Sequence, residues 1–243
     1  MTKDYFGEEV AATYDDDGPV FSPEVLDPTV DFLASHAGDG TALEFGIGTG
    51  RVALPLARRG IGVNGIDLSE AMVAKLRAKP GAELIATTLG DFATTRVTGT
   101  FSLVYLVFNT ICNLTTQDEQ VTCFQNAANH LGPGGRFVIE VFVPDLQRLP
   151  AGERFHPFTV SPEHIGLDEY DVAGQGLVSH HLWPEGNAWR MSSVPFRYVW
   201  PAELDLMARL AGMRLRERWQ DWDRSPFTSD SRKHVSVWER TDS

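Results

Sequence analysis

Seven consecutive residues, Glu44-Phe45-Gly46-Ile47-Gly48-Thr49-Gly50, carry the densest chemical signal in the chain. Glycines at alternate positions let a backbone approach a bulky ligand where a Cβ would intrude. A diphosphate-binding turn of the G-x-G-x-x-G kind needs glycine at the position held here by Arg51, so that the following helix can pack closely. Glu44, just ahead of the turn, offers an anionic partner for an ammonium group. These features suit an amino-acid-bearing cofactor better than a dinucleotide. Asp67 follows Gly50 by seventeen residues. It is spaced to accept hydrogen bonds from both hydroxyls of a ribose, while a purely structural role would be to cap a helix beginning near Ser69. Gly90-Asp91-Phe92 adds an acid that could accept an exocyclic amine and an apolar wall, although in isolation it is an ordinary loop.

These residues need a strand–turn–helix frame, and the hydrophobic pattern supplies one. From about residue 41 to residue 143 short apolar runs alternate with helical stretches, the mark of βαβ units on a parallel sheet. Strands are expected at Thr41–Phe45, Ile61–Ile66, Glu83–Thr87, Phe101–Phe108 and Arg136–Val143. Helices are expected at Val52–Arg59, where Pro55 is tolerable in the first turns, and at Asp67–Lys79, stopped by Pro80-Gly81. A capping box at Thr116–Glu119 opens a further helix to about Leu131, and Gly134-Gly135 turns the chain into the fifth strand. The run at Phe101–Phe108 is nearly continuous, as for a strand covered on both faces.

Residues 151–200 change character and hold four of the seven His and three of the six Trp. They read as a cap with antiparallel strands at Leu177–Trp183 and Trp189–Val199. A helix at Pro201–Ala211 and strands at Met213–Trp222 and Lys233–Arg240 close the sheet. Helices are also expected at Glu8–Tyr14 and Ser22–His36, separated by an acidic loop, Asp15-Asp16-Asp17-Gly18, expected to be mobile. The whole is one domain: a helical lid (1–40), a cofactor-binding half (41–143), a substrate cap (151–200) and a C-terminal helix with closing hairpin (201–243).

Composition narrows the function. The formal charge of −12 leaves no basic surface to neutralise phosphates, which opposes nucleic acid as substrate. Two cysteines, Cys112 and Cys123, provide neither a disulfide framework nor a multi-cysteine metal site, and both are expected to be buried thiols. The first ten residues lack the apolar core of a signal peptide, and no apolar run approaches a bilayer span, so a cytoplasmic protein without membrane association is expected.

With these motifs in order, the chain resembles the class I S-adenosylmethionine-dependent methyltransferases over nearly its full length. The match comprises E-F-G-I-G-T-G, Asp67, G-D-F, the strand F-S-L-V-Y-L-V-F-N-T and L-G-P-G-G-R-F. The segments Tyr198–Leu204 and Ala211–Met213 are similar to bacterial small-molecule methyltransferases of specialised metabolism, and more loosely to sugar-amine N-methyltransferases. The resemblance implies a Rossmann-like α/β fold: a doubly wound, mostly parallel sheet of seven strands, the last antiparallel, with a small antiparallel β cap. It implies S-adenosyl-L-methionine as cofactor, S-adenosyl-L-homocysteine as product and no metal. Gly46, Gly48 and Gly50 would line the methionine side, Asp67 hold ribose, Asp91 and Phe92 flank adenine, and Tyr14 reach the cofactor carboxylate. Arg51, Leu68 and Asn109 complete the expected cofactor set. Ser102 departs from the aspartate many relatives carry early in the fourth strand, with little functional effect expected.

The acceptor side is less specified. An activated methyl group needs chiefly an aligned nucleophile and the exclusion of water. A general base would help a hydroxyl, ammonium or indole-type carbon, and His180 and His234 are the preferred candidates among His156, His164, His180, His181 and His234, although a structural histidine is the commoner case. His180 and His181 make a poor metal pair because adjacent strand residues face opposite sides. Trp183, Trp200 and Trp222 are candidates for an aromatic substrate wall, with Trp189 and Phe227 as further possibilities, and Arg197 and Arg224 for binding a substrate carboxylate. Core packing and surface salt bridges explain the same residues equally well. A small-molecule acceptor methylated at N, O or C, and a monomer or homodimer, are therefore expected. The rivals are an NAD(P)-dependent oxidoreductase, which position 51 disfavours, and a non-catalytic binding protein retaining the fold.

Overall fold

The computed structural model describes residues 4–16 and 22–241. The described chain forms α1 (Glu8–Thr13), α2 (Pro23–Ala37), β1 (Thr41–Phe45), α3 (Ala53–Arg58), β2 (Gly62–Asp67), α4 (Glu70–Arg77) and β3 (Ile85–Leu89). It continues through β4 (Phe101–Leu106), α5 (Gln117–His130), β5 (Leu131–Phe142), β6 (Phe155–Val160), β7 (Ile165–Asp171), β8 (Gly176–Glu185) and β9 (Ala188–Arg197). It ends with α6 (Pro201–Leu210), β10 (Met213–Trp219) and β11 (Lys233–Arg240).

Seven strands form one sheet in the order β10-β11-β5-β4-β1-β2-β3. The first five pair in parallel, and β11 runs antiparallel to both of its neighbours. The expected doubly wound sheet with its last strand reversed is therefore present. The chain winds outward from β1 through β2 and β3, then returns to β4 on the other side. This reversal opens a crevice beyond the carboxyl ends of β1 and β4, where open α/β sheets bind ligands.

Alternation along the strands builds two cores. Leu43, Phe45, Val104 and Leu106 pack on one face with α5 and α6, while Ala42, Leu103 and Tyr105 pack on the other with α2 and α3. Phe124 meets Phe137 and Trp238 edge-on at 5.0 and 5.3 Å between ring centroids. Each such fully buried ring contributes about 1.5–3 kcal/mol over exposure. At the start of α5 the Thr116 hydroxyl accepts from the Glu119 N–H at 3.2 Å, and Glu119 accepts from the Thr116 N–H at 3.0 Å, forming the expected capping box.

Several boundaries differ from expectation. The third strand starts at Ile85, because Gly81, in the left-handed region at φ 91°, begins a 3-10 turn over Ala82–Leu84. The fifth begins at Leu131 rather than Arg136: the Gly132–Gly135 stretch stays in the strand, with a bulge opposite Phe101 and Leu103. The fourth ends at Leu106, before the left-handed residues Phe108 and Asn109. The cap holds four strands in the order β6-β7-β8-β9, not two. Part of the acidic segment, Asp15 and Asp16, sits in a 3-10 turn held by side-chain bonds, while Asp17 and Gly18 lie outside the described residues. Among the described residues no helix is long and apolar enough to cross a membrane.

Gly50 lies at φ 79°, and a Cβ there would stand 2.3 Å from Leu76 Cδ1 and 3.3 Å from Leu54 Cγ. Gly60 has a similar φ of 87° but open space around it. Gly50→Ala is therefore expected to lose about 1–3 kcal/mol more stability than Gly60→Ala in urea denaturation, the difference being overpacking. Equal losses would contradict that packing role.

Candidate active site

The turn after β1 is held to the end of β2. Gly46 and Ile47 donate their N–H groups to the Ile66 carbonyl at 2.8 and 3.1 Å, and Gly48 donates to Asp67 Oδ2 at 2.6 Å. Gly46 and Gly48 have φ of 70° and 54°, a conformation that costs a residue with Cβ. Asp67 Oδ1 accepts from the Ser69 N–H at 2.8 Å, while Ser69 itself caps α4 by accepting from Met72. Burial pushes the Asp67 carboxyl above the ordinary carboxylate range against the pull of these N–H donors.

A cleft of about 790 Å³, including its open mouth, lies over this turn. Gly46, Gly48, Asp67 and Leu68 line its floor, and Asp91 and Phe92 line the side beyond β3. Phe92 is itself stacked on Phe45 at 5.9 Å between centroids. The opposite wall is the N-terminal segment, through Asp4, Tyr5, Phe6 and Tyr14. That segment is latched: Ser69 Oγ donates to the Phe6 carbonyl at 2.7 Å and Lys75 Nζ to the Ala12 carbonyl at 2.5 Å. Asp15 accepts from the Thr49 hydroxyl at 2.7 Å and pairs with Lys79 at 2.8 Å, while Lys79 also donates to the Thr49 carbonyl. Burial alone would raise the Asp15 pKa, but the bonds from Lys79 and Thr49 win and hold it below the usual range.

The structure thus brings Tyr14, Gly46, Gly48, Asp67, Leu68, Asp91 and Phe92 to one cleft. Four other expected cofactor residues do not line it. Glu44 is buried beneath the turn, where its Oε2 accepts from the Tyr105 hydroxyl at 2.9 Å. Gly50 serves the packing of Leu54 and Leu76. Arg51 lies over the Phe108 ring at 4.6 Å, in a neighbouring cavity. Asn109 spends its Oδ1 on the Phe142 N–H at 2.8 Å. Sequence reasoning missed Asp4, Tyr5, Phe6, Met72, Thr110, Asn113, Leu114 and Pro195 in the lining. Thr110, Asn113 and Leu114 follow β4, so the carboxyl-end rule could have found them; nothing local marks Pro195 or residues 4–6.

The expected acceptor residues are scattered. His180 is bonded to Ser193 Oγ at 2.8 Å and Glu169 at 3.3 Å within the cap. His234 is fully buried in β11 beside Ser236, and burial, with Arg218 nearby, lowers its pKa to about 3, too weak a base for proton abstraction near neutrality. Neither histidine lines the cleft. Trp183 stacks on His164 and His181 under Arg190. Arg197 is buried and ties the cap to α5 and α6 through Gln120 and Glu203, at 2.5 and 2.7 Å. Trp200 precedes α6 beside a separate hollow. Trp222 packs edge-on against Phe32 at 5.4 Å, and Arg224 lies over the same ring at 4.8 Å. Cys112 and Cys123 are buried as expected, and burial pushes the Cys112 thiol up to about 12. Among the described residues no group of three or more His, Cys, Asp or Glu converges to hold a metal.

Burial drives the Glu44 pKa up to about 8, opposed by the Tyr105 hydrogen bond. The folded protein then keeps a proton that the unfolded chain releases above its ordinary value near 4.5. Stability from this group is therefore lost as pH rises from about 4.5 to 8. In urea denaturation at pH 5 and pH 8, Glu44→Gln should gain stability relative to the native chain as pH rises; a constant difference would refute the raised pKa.

The comparisons agree with this geometry. A methyltransferase domain family matches residues 42–135, the stretch from β1 into β5. The chain is 38% identical to the CcbJ methyltransferase of Streptomyces caelestis, covering 98% of each chain, with a TM-score of 0.85. It is 28% identical over 218 residues to the cypemycin N-terminal methyltransferase of a Streptomyces species, covering 87% of this chain and 88% of that one. It shares its fold with SAM-bound CalS10, an amino pentose methyltransferase from Micromonospora echinaspora involved in calicheamicin biosynthesis, at 22% identity and a TM-score of 0.70, covering 99% of this chain and 100% of that one. With the parallel sheet, the glycine turn and the acid at the end of β2, these matches show that the chain belongs to the S-adenosylmethionine-dependent methyltransferases.

Proposed function

We propose that the protein transfers the methyl group of S-adenosylmethionine to an amine nitrogen of a small-molecule acceptor. The observation that carries the nitrogen is the acidic lining of the cleft and of the cavity beside it: among the described residues their carboxylates draw an acceptor that carries an ammonium group, and neither lining holds a histidine to deprotonate a hydroxyl. A hydroxyl acceptor would call for a base at the reacting atom, whereas a neutral amine is nucleophilic without one. The cypemycin relative, named for methylation at an N-terminus, supports the same choice. The net charge of −12 favours a cationic or neutral acceptor over an anionic one.

When bound, S-adenosylmethionine supplies a methyl group activated by its sulfonium centre. Gly46 and Gly48 leave room for the methionine part, and Tyr14 reaches its carboxylate. A carboxylate has about four lone-pair positions. Asp67 accepts from the backbone N–H groups of Gly48 and Ser69, with Leu68 also contributing, which leaves acceptor capacity for the ribose hydroxyls. Asp91 takes the adenine amine, with Leu68 and Phe92 as the apolar walls of that end. The latched N-terminal segment excludes water while the nucleophile is aligned. Arg51, where a dinucleotide turn has glycine, supports this cofactor over NAD(P).

A thermal-shift titration tests the cofactor. S-adenosylmethionine and S-adenosylhomocysteine should raise the melting temperature with concentration, and NAD and NADP should not. A shift with the dinucleotides alone would overturn the reading. By calorimetry, Asp67→Ala should weaken S-adenosylhomocysteine binding by about 1–3 kcal/mol, as for a lost charged hydrogen-bond partner. Unchanged affinity in a folded variant would remove Asp67 from the ribose site.

A further inference from the structure

A second cavity, about 1010 Å³ with its mouth, opens at the same carboxyl edge of the sheet. It shares two walls with the cofactor cleft. In the glycine turn, Gly46 and Gly48 line the cleft, and Arg51 and Val52 line the cavity. In the loop after β4, Thr110 lines the cleft, and Val107 and Phe108 line the cavity. The glycine turn and the loop after β4 thus stand between the two spaces, each lining both.

Phe108 is the unusual residue in that boundary. It sits in the left-handed region at φ 57°, and Asn109 follows at φ 62°. Two successive residues with Cβ in this region are strained, and such strain persists only where the surroundings enforce it. Here Glu140 Oε2 accepts from the Phe108 N–H at 3.0 Å and the Glu140 carbonyl from the Asn109 N–H at 3.2 Å. The result is an aromatic ring 48% exposed on the cavity wall. Core packing does not account for that ring.

The charges facing it are predominantly negative. Lys233 Nζ stands 2.7 Å from Asp221 Oδ1 and 3.5 Å from Glu140 Oε1, so one ammonium is shared by two carboxylates. With Glu24 and Asp223, the described lining holds four carboxylates against Lys233 and Arg51, which is four minus two, a net charge of −2. Such a cavity concentrates cations and repels anions.

We propose that this cavity is the acceptor compartment, and that it takes an amine carried on an apolar or aromatic body. The body lies against Phe108 and Trp222, and the nitrogen lies toward Glu140 and Asp221. Amines arrive largely as ammonium ions, which the carboxylates attract; loss of that proton to water leaves the neutral amine as the nucleophile. The proposal rests on the methyl-transfer reading of the adjoining cleft.

The test is a nitrogen-15 NMR titration of the full chain saturated with S-adenosylhomocysteine, using 2-phenylethylamine as probe. 3-Phenylpropionate serves as its anionic counterpart and 2-phenylethanol as its neutral one. Phenylethylamine should shift the Arg51 and Phe108 amides and the Trp222 indole N–H saturably, with phenylpropionate bound roughly tenfold more weakly or not at all. Glu140→Gln keeps an acceptor for the Phe108 N–H; it should weaken the amine several-fold and leave phenylethanol unchanged. Asp223→Asn, on the exposed mouth, should weaken the amine in the same direction. Equal binding of the anion, shifts confined to the cleft around Gly46 and Gly48, or no saturable shift would each overturn the proposal. Calorimetry of S-adenosylhomocysteine beforehand separates the two readings. Cofactor binding without an amine response overturns the acceptor compartment alone, and absent cofactor binding overturns the reading beneath it.

Discussion

The hydrogen bond from the Gly48 N–H to the Asp67 carboxylate, 2.6 Å long, joins the turn after β1 to the end of β2. Gly48 takes its left-handed conformation without the penalty a Cβ would bring, and Asp67 is a largely buried carboxylate whose N–H donors oppose the burial that raises its pKa. The parallel register of Phe45 opposite Ile66 brings them within reach, and that register depends on the apolar faces packed above and below the sheet. This end of the cleft is thus a consequence of sheet geometry, held by the Gly48 bond together with those from Gly46 and Ile47 to the Ile66 carbonyl.

Around that bond the N-terminal segment adds a latched wall to a floor of strands. The floor rests on β1, β2 and β4, most of whose side chains are buried. Among the described residues the bonds that join the N-terminal wall to the rest include Asp15 with Thr49 and Lys79, Lys75 with the Ala12 carbonyl and Ser69 with the Phe6 carbonyl. These are partly exposed polar contacts, each worth little alone, so the wall is held without being welded. Such an arrangement suits a site that must admit and release a large cofactor while keeping water out during transfer.

The cofactor half was legible because its signals are local. Glycines between a strand and a helix, an acid at the next strand end and a capping box at Thr116 each have one physical meaning at short range. The same locality does not separate ligand contact from packing at Glu44, Gly50 and Asn109, none of which lines the cleft. Residues of these types close to a ligand turn can serve the ligand or the packing beneath it, and burial decides which; all three serve packing or backbone bonding here. The cap was half legible. β8 and β9 are long and flanked by clear turns, whereas β6 is interrupted by Pro157 and a bulge, and β7 is rich in acids, so neither stands out as a strand. The acceptor residues were least legible. Which tryptophan or histidine faces a cavity depends on how β9 and the loop at 220–232 fold back on the sheet, a long-range outcome that no short segment encodes.

The most direct test of the cofactor site is the crystal structure of the complex with S-adenosylhomocysteine. Density should show the ribose hydroxyls at hydrogen-bond distance from the Asp67 carboxylate and the adenine between Leu68 and Phe92, with Gly46 and Gly48 against the homocysteine part. An adenosine group bound elsewhere, or an Asp67 whose partners remain backbone N–H groups alone, would contradict the account.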